Sequence, residues 1–203
     1  MNNTQQLEQI YYQSPDESPA IHSIPSTVHV LKTSIDTKYL DKMIRFSEKH
    51  YVENIEVDNL SKRVRTDWFL QNKEGFQESF EPMIEKVYAN ITLFVNSDVI
   101  HGATHINLSK AMMQTRIIEC WTALFKDGGS TAPHTHGNAP GTFSTVLYLN
   151  LPRGKTSLAF GNNANNKRII NDIREGDMLI FPSSLTHWGF DHDEGRIMTS
   201  ANW

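Results

Sequence analysis

The sequence predicts a mainly β protein with N-terminal helices, an α+β chain whose C-terminal part folds as an antiparallel sandwich or open barrel. Two observations carry this. Between about residues 36 and 98 apolar residues recur at helical spacing, whereas from about residue 112 the chain breaks into short β-type runs. Those runs are separated by Gly, Asn, Pro and Asp clusters, the punctuation of an all-β fold. A third observation is negative: no repeat, heptad or low-complexity tract interrupts the pattern.

Taken in order, residues 1–25 are rich in Gln, Ser, Pro and acid and read as a flexible arm. "STVHVLKTSI" (26–35) alternates apolar and polar residues and predicts a first strand. A helix follows, with Asp36 or Thr37 as its N-cap and Leu40, Met43 and Ile44 on one face. A second amphipathic helix over 76–98 carries Phe80, Ile84, Val87, Ile91 and Phe94, with Pro82 expected in its first turn. The β-type runs are "MQTRIIECWTALF", "TFSTVLYLNL", "TSLAF", "RIINDI", "DMLIFP" and "RIMTSANW". "GNNANNK" (161–167) reads as a loop. The expected organisation is a single domain, 1–203, with the arm (1–25), a strand plus helical support layer (26–110) and a β core (111–203).

Composition narrows the function classes. Hydrophobic residues make up 38% and charged residues 21% of 203, enough for a real core. The net charge of −4 and pI near 6.1 argue against nucleic acid as the main partner. Cys120 is the sole cysteine, so no intramolecular disulfide forms and a reducing compartment is the default. The polar opening "MNNTQQLEQIYYQSPDESP" has no signal-peptide pattern, and no apolar run is long enough to span a bilayer. A soluble, cytoplasmic protein is expected (host cytoplasm for a viral chain), with oligomeric state open.

The chemistry concentrates in "PHTHGN" (133–138), where His134 and His136 stand two apart. On extended backbone that spacing puts both imidazoles on one face. A third histidine, His187, follows the apolar run of "GDMLIFPSSLTHWGF". Three neutral imidazoles can cap one face of a divalent iron, zinc or copper ion and leave its other positions open. His22, His29, His50, His101, His105 and His192 lack such a setting and read as structural or solvated.

"GGSTAPHTHGNAPGTFSTVLYLN" followed by "EGDMLIFPSSLTHWGFDHDEGR" resembles the double-stranded β-helix (jelly-roll, cupin-like) core of the 2-oxoglutarate- and Fe(II)-dependent dioxygenases. Within them it is most similar to the prolyl-hydroxylase-like branch and small bacterial and viral oxygenases. The pattern there is His-x-Asp, a "YLN"-type strand, then a distal His with an Arg nine residues later. Here His134, Tyr148 to Asn150, His187 and Arg196 match in that order. The resemblance spans roughly residues 112–203 and implies Fe(II), 2-oxoglutarate and O2 as cofactor and cosubstrates. It implies decarboxylation of 2-oxoglutarate coupled to hydroxylation of a substrate, which the sequence leaves open among peptides, nucleobases and small metabolites. Arg196 would hold the far carboxylate of the cosubstrate in a two-point fork, with Tyr148 and then Ser200 as further candidates.

One position departs from the pattern: His136 stands where the family has its ligating Asp. Cupins, which share the barrel, use the second histidine of His-x-His as a ligand, and Gly128 and Gly176 precede His134 and Pro182 at cupin spacings. The expected metal set is therefore His134, His136 and His187, the alternative being His136 turned away with water in its place. Such a site is expected to lose metal as the pH falls through roughly 6. Three other readings stand beside the oxygenase: a three-histidine cupin enzyme not using 2-oxoglutarate, a zinc hydrolase or lyase, and a barrel that retains only a binding role. Trp121, Trp188 and Trp203 fit a cleft wall or plain packing and receive no role.

Overall fold

The computed structural model describes residues 20–24, 28–52, 63–96, 115–125, 130–136, 143–163, 166–190 and 194–203. Among the described residues the strands are β1 (Ala20–Ile24), β2 (Val28–Ser34), β3 (Arg63–Arg65), β4 (Glu119–Phe125), β5 (Phe143–Asn150), β6 (Thr156–Asn163), β7 (Asn166–Ile173), β8 (Asp177–Pro182), β9 (His187–Gly189) and β10 (Ile197–Asn202). They form a seven-stranded sheet, β1-β2-β8-β5-β10-β4-β3, and a three-stranded sheet, β7-β6-β9. The paired strands run antiparallel throughout. This is the antiparallel sandwich expected from the punctuation of the sequence, in the jelly-roll form that the family resemblance implies.

The central strands read as unbroken apolar runs because the large sheet is covered on both faces. On β5, Val146 and Tyr148 turn toward the small sheet, where they meet Leu158, Phe160 and Ile170. Leu147 and Leu149 of the same strand turn the other way, onto the helices. Leu179 and Phe181 of β8 follow the first set, Met178 and Ile180 the second. The result is three layers: helices, large sheet, small sheet.

Two helices, α1 (Leu40–Glu48) and α2 (Phe76–Asn96), cover the outer face. Met43 and Phe46 of α1 pack with Phe80, Ile84, Val87 and Ile91 of α2 in the same core. Asp36 caps the 3-10 turn ahead of α1, its carboxylate accepting from the Lys38 N–H at 3.0 Å. Pro82 does not lie in the first turn of α2 but in its second. A proline there removes the N–H that would reach the carbonyl of Glu78. Lys42 of α1 fills the gap: its Nζ donates to that carbonyl at 3.1 Å and to Glu78 Oε1 at 2.8 Å.

Two other expectations change. The stretch 20–24, read as part of the arm, is β1, paired with β2 from Ala20↔Lys32 to Ile24↔Val28. Residues 161–163 and 166–167, read as loop, extend the β6–β7 hairpin out to Asn163↔Asn166. Asparagine-rich sequence signals a turn by composition, but the ladder continues around it because the hairpin registers its backbone. Residues 1–19 and the side chain of Phe94 lie outside the described residues.

Gly176 precedes β8 and ties its start to both neighbouring strands, at the end of β2 and within β5. Its N–H donates to Tyr148 O at 2.8 Å and its carbonyl accepts from Ile35 N–H at 2.9 Å. Its φ is +84°, and a Cβ would stand 2.7 Å from the Ile35 carbonyl oxygen. Gly154, at φ +76°, has open space around the same position. Gly176→Ala should therefore cost about 2–4 kcal/mol, a left-handed penalty plus an overpacking term, whereas Gly154→Ala should carry only the first, about 1–2 kcal/mol. Chemical denaturation of both variants checks this; equal losses would contradict the packing role of Gly176.

Candidate functional site

The site begins as a backbone event. Residues 131–136 pass alongside β9 and the turn after β8, joined by Thr131 N–H to Gly189 O at 3.3 Å and His136 N–H to Ser183 O at 2.9 Å. Between these, His134 and His187 exchange both backbone hydrogen bonds, at 3.1 and 3.0 Å. Residues paired this way face each other with side chains on one side of the ladder, and His136, two residues on, joins them. Thr135 between them is exposed.

The three rings converge. His134 and His187 centroids are 4.3 Å apart, and His136 lies 4.9 Å from each. One nitrogen of each lies within 4.8 Å of the others. His134 Nδ1 is 2.8 Å from Ala132 O and His187 Nδ1 is 3.0 Å from Leu185 O. A carbonyl only accepts, so both rings carry their proton on Nδ1 and present a bare Nε2 lone pair. His136 Nε2 sits 3.2 Å from His187 Nε2. Ligands about 2.1 Å from one ion stand roughly 3 Å apart, so this pair already has ligand spacing and small rotations close the rest.

Burial shapes their charge. His187 is 3% exposed, with the Phe181 ring 4.7 Å away, and His136 packs against Trp121 at 5.4 Å. Desolvation, then the neighbouring His134, hold His136 down at about 4; desolvation and His134 hold His187 at about 3. His134 is also lowered, chiefly by burial. All three are neutral donors at neutral pH.

The remaining expected residues line the same cavity between the sheets. Arg196, Tyr148 and Ser200 all contribute to its wall, with Trp121, Phe125 and Leu158 among the others. Register explains this: Met198 pairs with Tyr148 and Ser200 with Val146, so 196, 198 and 200 share the inner face. Arg196 is 3% exposed. The Tyr148 hydroxyl is buried with no hydrogen-bond partner, and its pKa is raised by burial, a trend the nearby Arg196 charge opposes. An orphaned phenol in a buried wall is a hydrogen-bond donor without an acceptor, and a guanidinium charge stands near it.

Trp121, left without a role by the sequence, is part of the cavity; Trp203 packs in the helical core instead. Trp188 pairs with Ala159 on β6, one residue out of phase with His187, and does not line the cavity. Arg63 was not singled out at all, yet it lines the cavity too. Its signal was the period-two "RVR" at 63–65, a strand too short to stand out. His50 packs on Phe46 at 4.8 Å, a structural role. His101, His105 and His192, and the side chains of His22 and His29, lie outside the described residues.

The shifts set a pH dependence. Unfolded, each imidazole takes its proton near pH 6.5; folded and metal-free, His136 waits until about 4 and His187 until about 3. Between those limits the unfolded chain binds more protons. The stabilisation is therefore full above pH 6.5 and is lost progressively as the pH falls toward 3. Imidazole NMR titration of the metal-free protein should find His136 and His187 neutral at pH 5.5; a midpoint near 6.5 for either would contradict the buried geometry.

No protein-family model matches the sequence, and no curated protein matches it either. Solved structures do match the fold. A prolyl-4-hydroxylase from Pseudomonas putida aligns at TM-score 0.55 and 15% identity, over 85% of this chain and 91% of that one. A Trichoplax adhaerens prolyl hydroxylase, in complex with a hypoxia inducible factor peptide fragment, gives 0.60 at 12% identity over 88% and 84%. HygX from Streptomyces hygroscopicus, with nickel and 2-oxoglutarate bound, gives 0.51 at 11% identity over 87% and 82%. The chain thus has the double-stranded β-helix fold of the 2-oxoglutarate- and Fe(II)-dependent oxygenases, with three histidines gathered inside it.

Proposed function

We propose that this protein is an Fe(II)- and 2-oxoglutarate-dependent oxygenase that hydroxylates its substrate, with His134, His136 and His187 holding the iron. One observation carries the reading: three imidazole nitrogens and a buried guanidinium belong to one cavity between the sheets. The donor set suits the group. Neutral imidazoles with exposed Nε2 lone pairs fit divalent iron, and Arg196 with the orphaned Tyr148 hydroxyl fits a carboxylate. Similarity to a structure holding nickel and 2-oxoglutarate supports the same assignment.

When bound, iron, 2-oxoglutarate and O2 supply the oxidising chemistry, decarboxylation to succinate coupled to hydroxylation. The protein's own part is placement. The Nδ1 bonds to Ala132 and Leu185 fix the tautomers of His134 and His187 and aim both Nε2 atoms. Arg196 anchors a carboxylate by paired N–H donors, Tyr148 adds an O–H, and Ser200 lies one strand repeat further along. Phe125, Leu158, Val146 and Met198 keep the wall apolar and exclude water.

The second reading, a three-histidine cupin enzyme without 2-oxoglutarate, is favoured by the imidazole at 136 where a carboxylate would complete the oxygenase triad. It leaves Arg196 and Tyr148 unused. Succinate release with iron and 2-oxoglutarate against a metabolite and peptide panel separates the two. Arg196→Ala should raise the 2-oxoglutarate requirement on the order of thirty-fold or more, the loss of a buried charge-assisted pair, while retaining iron. An unchanged requirement would favour the cupin reading.

His134→Ala and His187→Ala should each nearly abolish iron retention, since two imidazoles hold Fe(II) poorly. His136→Ala should weaken it less, and His136→Asp should bind iron at least as well as wild type and turn over 2-oxoglutarate no more slowly. Metal analysis after gel filtration reads all four; full occupancy in His187→Ala would remove that residue from the site.

A further inference from the structure

We propose that Ser183 is a positioning residue of the metal site: its hydroxyl, tied to Ser144, fixes the turn whose carbonyl holds His136, and so decides whether His136 ligates. The proposal rests on the three-histidine site of the oxygenase reading and adds to it the residue that completes the ligand set.

The three histidines are not held equally. His134 and His187 exchange two backbone hydrogen bonds, and each ring is also fixed at Nδ1 by a carbonyl, Ala132 O and Leu185 O. Among the described residues the His136 ring has one polar contact, 3.2 Å from its Nε2 to His187 Nε2. Those are the two atoms a metal would claim, so that contact is given up when both turn to an ion. What remains is packing against Trp121 at 5.4 Å and one backbone bond, from His136 N–H to Ser183 O at 2.9 Å. The least anchored ligand depends most on its backbone.

Ser183 lies where the chain leaves one sheet for the other. β8 ends at Pro182 in the large sheet, and β9 begins at His187 in the small one. The turn between them closes by Leu185 N–H to Pro182 O at 2.9 Å. Its carbonyls serve two ligands: Ser183 O takes the His136 N–H and Leu185 O the His187 Nδ1–H. A corner of this kind lies outside both sheet ladders, so a side-chain tie has to fix it.

The Ser183 hydroxyl is that tie. It stands 3.0 Å from Ser144 Oγ on β5, with both side chains buried. Ser144 has one proton, which goes to Asn202 Oδ1 at 2.9 Å, so Ser183 is the donor of the pair. A serine reaches its oxygen through a single rotatable bond. Pinning the hydroxyl therefore pins the backbone that aims the carbonyl at His136. The same serine thus joins the central strand of the large sheet, through its side chain, to a ligand on the neighbouring segment, through its main chain.

The test uses the full chain labelled with 15N-histidine and Zn(II) as a diamagnetic probe. Ring 15N shifts show which imidazole nitrogens are bound, and competition with a chromophoric chelator gives the affinity. In the wild-type protein His134, His136 and His187 should all be bound. In Ser183→Ala, His134 and His187 should stay bound while the His136 signal returns toward its metal-free position. Zn(II) affinity should fall roughly tenfold, the loss of one buried hydrogen bond. Ser144→Ala removes the same bond from the other strand and should reproduce this pattern. Placed in His136→Ala, Ser183→Ala should lower the affinity no further, because the ligand it acts through is gone. Equal losses in the two backgrounds, or His136 still fully bound in Ser183→Ala, overturn the proposal. A wild-type spectrum with His136 unbound overturns the three-histidine site itself, and this proposal with it.

Discussion

The site depends on one backbone contact, the reciprocal hydrogen bonds between His134 and His187. Neither residue is brought to the other by proximity in sequence. The pairing alone fixes that their side chains share a face, and the i, i+2 spacing then adds His136. Slide the 131–136 segment by one residue and Thr135 would turn inward while both histidines turned out. His136 N–H to Ser183 O and Thr131 N–H to Gly189 O hold the register on either side. From β9 the constraint passes to β6, where Phe160 pairs with His187 and puts an aromatic ring beside the imidazoles.

What backs this segment is polar, with Ser144, Ser183 and Asn202 buried and Glu119 partly so. Ser144 Oγ lies 3.0 Å from Ser183 Oγ and 2.9 Å from Asn202 Oδ1, and Asn202 Nδ2 donates to Glu119 Oε2 at 2.8 Å. With one proton, the Ser144 hydroxyl donates to the amide oxygen and accepts from Ser183. Side chains from β4, β5, the turn after β8, and β10 are therefore tied together next to the residue whose carbonyl holds His136. A chain of hydrogen bonds fixes a geometry where a purely apolar contact would allow sliding. The helical layer supports the far face of the same sheet, through Met43, Phe80 and Val87.

Much of this was legible in the sequence for physical reasons. The central strands announce themselves because burial on both faces demands continuous apolar runs, as in "FSTVLYLN". The histidines stood out because three of them share spacings that few structural roles require. Arg196 and Tyr148 followed from resemblance, and register places both on the inner face. Other features were hidden. Pro82 looked misplaced in a helix interior because its remedy, Lys42, lies on a different helix. β1 and β3 are short edge strands of five and three residues, so pairing rather than composition defines them. Arg63 escaped for the same reason: a cation on a three-residue strand has no local pattern that distinguishes a cavity wall from a solvated surface.

The central claim is that three imidazoles and Arg196 form one chelating pocket for a metal and a keto acid. Its most direct test is the visible spectrum of the anaerobic Fe(II)-loaded protein during titration with 2-oxoglutarate. The account predicts a weak charge-transfer band that grows to saturation as the keto acid chelates the iron, and that is absent from His187→Ala. Iron retained by the wild-type protein with no such band at saturating 2-oxoglutarate would contradict it.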